Sequence, residues 1–168
     1  MDVMRTGTSM LGNLEPEGDF ENQLDSINRM IATMASIVTY WYKYSHEGVD
    51  ISLVNDEDTI AGHFLHILHG KPPSELHKKV MDTSLILYAE HEFNASTFTA
   101  RVCASTMSDI FSCVVAAIGS LRGPLHGGAN EAAMDMIENW KTRDEAKSNI
   151  LSMLQNKEKI MGLSLIHI

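Results

Sequence analysis

Three observations predict an all-α domain. Apolar residues recur at helical spacing in every long segment. Methionine is plentiful, 11 among 168 residues, while Pro (4) and aromatics (7%) are scarce, a mix that suits packed helices better than strands. Residues that start and stop helices fall at the joints between the periodic segments. No stretch of useful length alternates polar and apolar residues, and no segment repeats. At 44% hydrophobic and 21% charged, the chain has the composition of a globular domain with a real core.

Taken in order, residues 1–23 read as a short helical start followed by a polar loop carrying Pro16 and Gly18. Met1-Asp-Val-Met-Arg-Thr-Gly enters a helical pattern at once, as an internal start does, rather than as a leader or a flexible tail. Leu24, Ile27, Ile31, Met34, Ile37, Val38, Trp41 and Tyr42 trace one helix over residues 24–44. The Tyr40-Trp41-Tyr42 cluster at its end is expected to be buried or at an interface. After a loop around Gly48, Asp56 is positioned to cap a helix from about residue 58 to 68, closed by Gly70. Pro72-Pro73-Ser74 starts the next helix, to about residue 89, with Leu76, Val80, Ser84, Leu87 and Tyr88 on one side. Ser108-Asp109 introduces a helix over residues 110–121 rich in small residues, which allow close helix–helix approach. A helix from Glu131 to Trp140 follows, and Thr142-Arg-Asp-Glu145 is a capping-box pattern for another to about residue 155.

The formal charge is −9 with no basic block, so nucleic acid and anionic membrane are poor partners. No apolar run is long enough to span a membrane. Cys103 and Cys113 form no C-x-x-C, and no secretory leader is present; they read as reduced, buried, inert thiols of a cytoplasmic protein. There is no G-x-S-x-G, Walker loop or dinucleotide fingerprint.

Two histidine settings stand out. Gly119-Ser-Leu-Arg-Gly-Pro-Leu-His-Gly-Gly-Ala-Asn130 places His126 in a turn framed by glycines and Pro124, where the missing Cβ atoms let backbone or ligand come close. His91 lies between Glu90 and Glu92 and ahead of Asn94, Ser96, Thr97 and Thr99, a polar concentration that is either a structural network or a polar-ligand site. Two imidazoles on separate elements could hydrogen-bond carbonyl or carboxylate oxygens. By contrast, His63, His66 and His69 step by three along one helix, fanning over its surface at about 100° per residue. Packed or hydrogen-bonded histidines fit that spacing better than a metal site, and no metal is expected.

His91-Glu-Phe-Asn-Ala-Ser-Thr-Phe-Thr-Ala-Arg-Val and Gly123-Pro-Leu-His-Gly-Gly-Ala-Asn-Glu together resemble the citrate synthase family in order and spacing, and the similarity extends over residues 1–162. Met1-Asp-Val-Met-Arg-Thr-Gly, Tyr40-Trp-Tyr and Gly62-His-Phe-Leu-His look most like its 2-methylcitrate synthase branch. The resemblance implies a citrate synthase-like helical fold, here truncated. Residues 1–122 would be part of the large helical domain and 123–162 the start of the small one. It implies condensation of propionyl-CoA or acetyl-CoA with oxaloacetate, giving 2-methylcitrate or citrate and free CoA. No cofactor is implied beyond the coenzyme A thioester, which is itself a substrate. A homodimer is implied for the full-length protein, with helix 110–121 a subunit contact.

By motif match, His126 would hydrogen-bond the thioester oxygen and stabilise the enol. His91 would bind oxaloacetate, Asn94 would help position it, and Lys159, Ile160, Met161 and Gly162 match the segment whose backbone lies beside the CoA adenine. The family pattern runs on from there into Phe-Gly-His, whereas here residues 163–168 are Leu-Ser-Leu-Ile-His-Ile and read as a non-native tail. The catalytic Asp, the second catalytic His and the carboxylate-binding Arg residues of the pattern lie further on, so the chain is expected to be inactive alone. Two other readings stay open: a citrate synthase proper, and a non-catalytic all-α interaction protein with His126 in a structural turn.

Overall fold

The structure is a computed structural model that describes residues 1–18, 23–90 and 93–160. Its regular elements, among the described residues, are all helical: α1 (Asp2–Leu14), α2 (Gln23–Tyr42), α3 (Ile60–His69), α4 (Glu75–Tyr88), α5 (Ala95–Ala104), α6 (Ile110–Leu121), α7 (Gly128–Glu138) and α8 (Arg143–Gln155). The chain divides into two compact units, residues 1–119 and 120–168.

In the first unit α2 is the hub, packing against α1 and α3, and α3 packs in turn against α4. Close approach by α1 depends on its glycines. A Cβ on Gly7 would stand 2.6 Å from Ile37 Cδ1, and one on Gly12 would stand 3.1 Å from the Phe111 side chain. Met30, Ala35, Ala61, Ile67, Phe111 and Cys113 form the buried apolar set of this unit. Two threonines are buried among them. Thr8 donates to the Met4 carbonyl at 2.8 Å and Thr39 donates to that of Ala35, so each hydroxyl is satisfied within its own helix.

The helix ends follow local chemistry. Beyond Tyr42, α2 widens into a π-helical turn, Lys43–Glu47, bridged by the Lys43–Glu47 ion pair at 2.8 Å and closed by Gly48 in the left-handed region. Asp56 does not cap α3. Thr59 does, accepting from Gly62 N at 2.9 Å, and Gly70 closes the helix at φ +67°. Ser74 caps α4 through His77 N. Thr142 caps α8 by accepting from Glu145 N at 3.2 Å, while Glu145 reaches back to Lys141 N at 2.9 Å. The reciprocal bond of the capping box thus lands one residue earlier than its usual target.

Asp109 caps α6 with both oxygens, accepting from Ser112 N at 2.9 Å and from Ser112 Oγ at 2.6 Å. Glu17 adds a bond across the unit, accepting from Ile110 N at 2.6 Å. The Ser112 hydrogen bonds hold the Asp109 carboxyl below its ordinary value of 3.8. A carboxyl depressed by folding stabilises the native state above its unfolded pKa and loses that contribution as pH falls through its folded pKa. Asp109→Asn is therefore expected to be less stable than the native chain at neutral pH. The gap should close in acid below the ordinary aspartate range. Thermal melts of both proteins across that range check it; a gap that persists at the acid end would contradict the assignment.

Of the two expectations for the aromatic cluster, burial within this chain is not met at Trp41 and Tyr42. Trp41 is 48% and Tyr42 44% exposed, because α1 and α3 cover other faces of α2. Tyr40 stacks on Tyr44 with ring centroids 6.2 Å apart, and Tyr42 stacks on His46 at 4.7 Å. Asp50 beside Tyr40 raises its phenol above the usual tyrosine value. On α4, too, the apolar side is largely uncovered: Leu76, Val80, Leu87 and Tyr88 are all exposed.

Candidate active site

In the second unit α6 gives way to a tight turn. Gly123 N donates to Ser120 O at 3.1 Å, His126 N to Gly123 O at 2.9 Å, and Gly127 N to Leu121 O at 2.9 Å. Gly128 N reaches Gly123 O at 3.4 Å, and Ala129 N donates to His126 O at 3.1 Å as α7 begins. The amides of residues 126–129 are thus consumed inside the turn. The imidazole of His126 is half-buried.

The glycines have a backbone reason. A Cβ on Gly127 would lie 2.2 Å from the carbonyl oxygen of Leu121, whereas one on Gly128 would meet Pro124 Cβ at an ordinary 3.7 Å. Gly127 is required because backbone passes against it. The helix that follows starts at Gly128, earlier than Glu131, since these small residues adopt helical angles directly after the turn.

Asn94 belongs to the first unit. It is the N-cap of α5, its Oδ1 accepting from Thr97 N at 2.8 Å and from Ser96 Oγ at 2.7 Å. That leaves Nδ2 as the atom with which Asn94 can donate to a ligand oxygen. His91, Met161 and Gly162 lie outside the described residues, as do residues 163–168. Lys159 is exposed and Ile160 is buried at 2%, so Ile160 anchors this strand of chain to its unit.

An open groove of about 460 Å³ in the second unit is lined by Met136, Asn139, Trp140, Glu145, Asn149 and Glu158, among others. Its two carboxylates oppose binding of phosphate groups.

Two of the three stepped histidines of α3, His63 and His66, are engaged in the first unit, and His69 is exposed. His63 Nε2 lies 2.9 Å from Ser36 Oγ, and its Nδ1 lies 3.1 Å from the Asn55 amide. His66 Nδ1 is 3.4 Å from Glu57 Oε1, within ion-pair distance but outside hydrogen-bond geometry. Glu57 also pairs with Lys78 at 3.5 Å, and Lys78 with Glu75 at 2.7 Å. This network tying loop 55–59 to α3 and α4 was not legible beforehand, because its partners come from four separate segments. Among the described residues, no group of three or more His, Cys, Asp or Glu is arranged to hold a metal ion. None of the described helices is long and apolar enough to cross a membrane.

Residues 1–164 match the family model described as the citrate synthase C-terminal domain. The chain belongs to the citrate synthase family. It is 64% identical over 162 residues to a 2-methylcitrate synthase of Shewanella oneidensis, covering 96% of this chain and 43% of that protein. It is 44% identical to a citrate synthase of Deinococcus radiodurans over 166 residues, 97% of this chain and 44% of the relative. The chain therefore spans less than half the length of these curated relatives.

Among solved structures, it superposes with a TM-score of 0.79 and 29% identity on the citrate synthase of Thermoplasma acidophilum, described as a ternary complex with carboxymethyl coenzyme A and oxaloacetate. The match covers 94% of this chain and 42% of that one. The citrate synthase of Pyrobaculum aerophilum gives 0.72 at 36% identity, over 94% and 39%. The helical fold and its truncation relative to the family accord with the sequence reading.

Proposed function

We propose that this chain is part of a 2-methylcitrate synthase, an acyltransferase that condenses propionyl-CoA with oxaloacetate and releases CoA. What carries the reading is the 64% identity to the Shewanella protein across nearly the whole chain, with the His126 turn intact and its backbone amides already spent. Citrate synthase proper, with acetyl-CoA as substrate, is the second reading, supported by the 44% identity to the Deinococcus enzyme. The two substrates differ by one methyl group, a discrimination of about 1–3 kcal/mol in an apolar pocket.

Within this reading the His126 imidazole donates to the thioester oxygen as the α-carbon loses its proton. Charge accumulating on that oxygen is stabilised most in the transition state, which is the source of the rate effect. His91 and the Nδ2 group of Asn94 hold oxaloacetate, and the backbone of residues 159–162 lies along the CoA adenine. The α-proton base and the carboxylate-gripping arginines come from the part of the relatives' length that this chain does not span. No cofactor enters; the thioester supplies the activation.

Residues up to about 122 form part of the large domain and 123–162 begin the small one, a reading supported by the division into compact units near that position. A cytoplasmic homodimer completes the proposal. Its support is the apolar surface left open on α4 and α5, where Leu87 is 75% and Phe98 65% exposed; surfaces of this kind mark contacts with other protein. The small-residue face of α6 is half-buried over residues 114–121 and remains the second candidate contact.

Exchange of residues 1–162 into the matching segment of the Shewanella 2-methylcitrate synthase tests the function. The chimera is expected to release CoA from propionyl-CoA only when oxaloacetate is present. A folded chimera without that activity would sink the proposal.

A further inference from the structure

The cap of α5 carries more hydrogen bonding than a cap needs. Asn94 Oδ1 accepts from Thr97 N at 2.8 Å, which satisfies one of the amides left open at the start of the helix. The same oxygen also accepts from Ser96 Oγ at 2.7 Å. A carboxamide oxygen has two lone pairs, and these two donors fill both. The second bond joins side chain to side chain and satisfies no backbone group. Capping does not call for asparagine either, since aspartate and serine serve that position as well. What asparagine has beyond them is the amide nitrogen.

The second donor acts on where that nitrogen points. The Thr97 N–H decides which end of the carboxamide faces the helix. One bond still leaves the amide plane free to swing about that contact. The Ser96 hydroxyl meets Oδ1 from a second direction and limits the swing. Both side chains are half-buried, so water competes less for these bonds than it would at an open helix end.

We propose that Ser96 is a positioning residue for oxaloacetate binding: its hydroxyl holds the Asn94 carboxamide at the angle from which Nδ2 donates to the substrate. Ser96 acts only through Asn94, so this assignment rests on the oxaloacetate role proposed above for that residue. A hydrogen bond from Nδ2 to oxaloacetate serves ground state and transition state alike. Losing its aim therefore weakens binding and leaves the chemical step in place.

Kinetics of the active chimera test the assignment. Ser96→Ala is expected to raise the KM for oxaloacetate about 2- to 10-fold, the worth of one neutral hydrogen bond. Its kcat and its KM for propionyl-CoA should stay native. Ser96→Thr keeps the hydroxyl and should return the oxaloacetate KM to the native value. Asn94→Asp keeps an acceptor for the cap but removes the nitrogen, and should raise that KM without loss of thermal stability. In the Asn94→Asp background no amide remains to be aimed, so adding Ser96→Ala should cause no further rise, whereas a merely structural serine would add its effect in both backgrounds. The assignment is overturned if Ser96→Ala leaves the KM native while Asn94→Asp raises it, or if kcat falls instead. It is equally overturned if Ser96→Thr fails to restore the KM, or if the rise persists in full beside Asn94→Asp. A native oxaloacetate KM in Asn94→Asp itself would refute the role of Asn94, and the role of Ser96 with it.

Discussion

Replacing His126 with Ala in the active chimera is expected to lower kcat by about 100- to 1,000-fold, the range found when one pre-organised donor to a developing oxyanion is removed. The argument rests on the turn itself. Its amides from residue 126 to 129 already donate to Leu121, Gly123 and His126 carbonyls, so none of these four N–H groups stands ready to take over from the ring. His126→Gln keeps a donor but alters its reach and basicity, and is expected to fall between Ala and the native enzyme. Because the proposed role of the imidazole is exerted as charge develops, kcat should fall far more than the affinity for oxaloacetate, which the proposal assigns to His91 and Asn94. Steady-state kinetics with oxaloacetate varied at saturating propionyl-CoA separate these effects. A His126→Ala chimera with native thermal stability and native kcat would leave the non-catalytic reading as the better one.

How much of this was legible in the sequence depends on how local each feature is. Asp109, Ser74 and Thr142 cap their helices through bonds reaching only three residues ahead, so their residue types and spacing suffice. The start of α3 is equally local, yet Asp56 and Thr59 are both good cap residues. Thr59 prevails because its Oγ1 reaches Gly62 N, and Glu57 between them is committed to Lys78. Burial is another matter. A helical stripe such as Leu76, Val80 and Leu87 shows that a face needs cover, but not whether the cover lies within this chain. Here those side chains are exposed, as is half of Trp41, in a chain that spans 43% of its Shewanella relative. The roles proposed for His126 and Asn94 came from motif resemblance, and the structure adds that Asn94 Oδ1 is taken up by the α5 cap. The His63–Ser36–Asn55 contacts and the Glu57–Lys78 pair join separate segments and carry no local pattern, unlike the i,i+3 pair Glu75–Lys78 within α4.

Gly127→Ala is expected to be the most damaging single methyl addition in the second unit. Its Cβ would fall 2.2 Å from Leu121 O, with the Leu121 carbonyl carbon at 3.2 Å, and both are backbone atoms that no rotamer change can move aside. The existing Gly127 N to Leu121 O bond at 2.9 Å would have to break for the chain to make room. Overpacking of this kind costs about 1–3 kcal/mol or more, and losing the turn bond adds about 1 kcal/mol. Two neighbouring glycines make the controls. Gly128→Ala meets Pro124 Cβ at 3.7 Å and Gly123 O at 3.8 Å, both ordinary contacts, and Gly119→Ala meets nothing within 4 Å. Within α6, Gly119→Ala should stabilise the purified chain by about 0.8–1 kcal/mol through helix propensity alone. Urea unfolding of the three variants beside the native chain gives the order Gly119→Ala, native and Gly128→Ala together, then Gly127→Ala far below. Equal stability of Gly127→Ala and Gly128→Ala would show that the turn does not hold Leu121 O against residue 127. It would also remove the steric reason for the glycine beside His126, and the case for a ligand occupying that space would return.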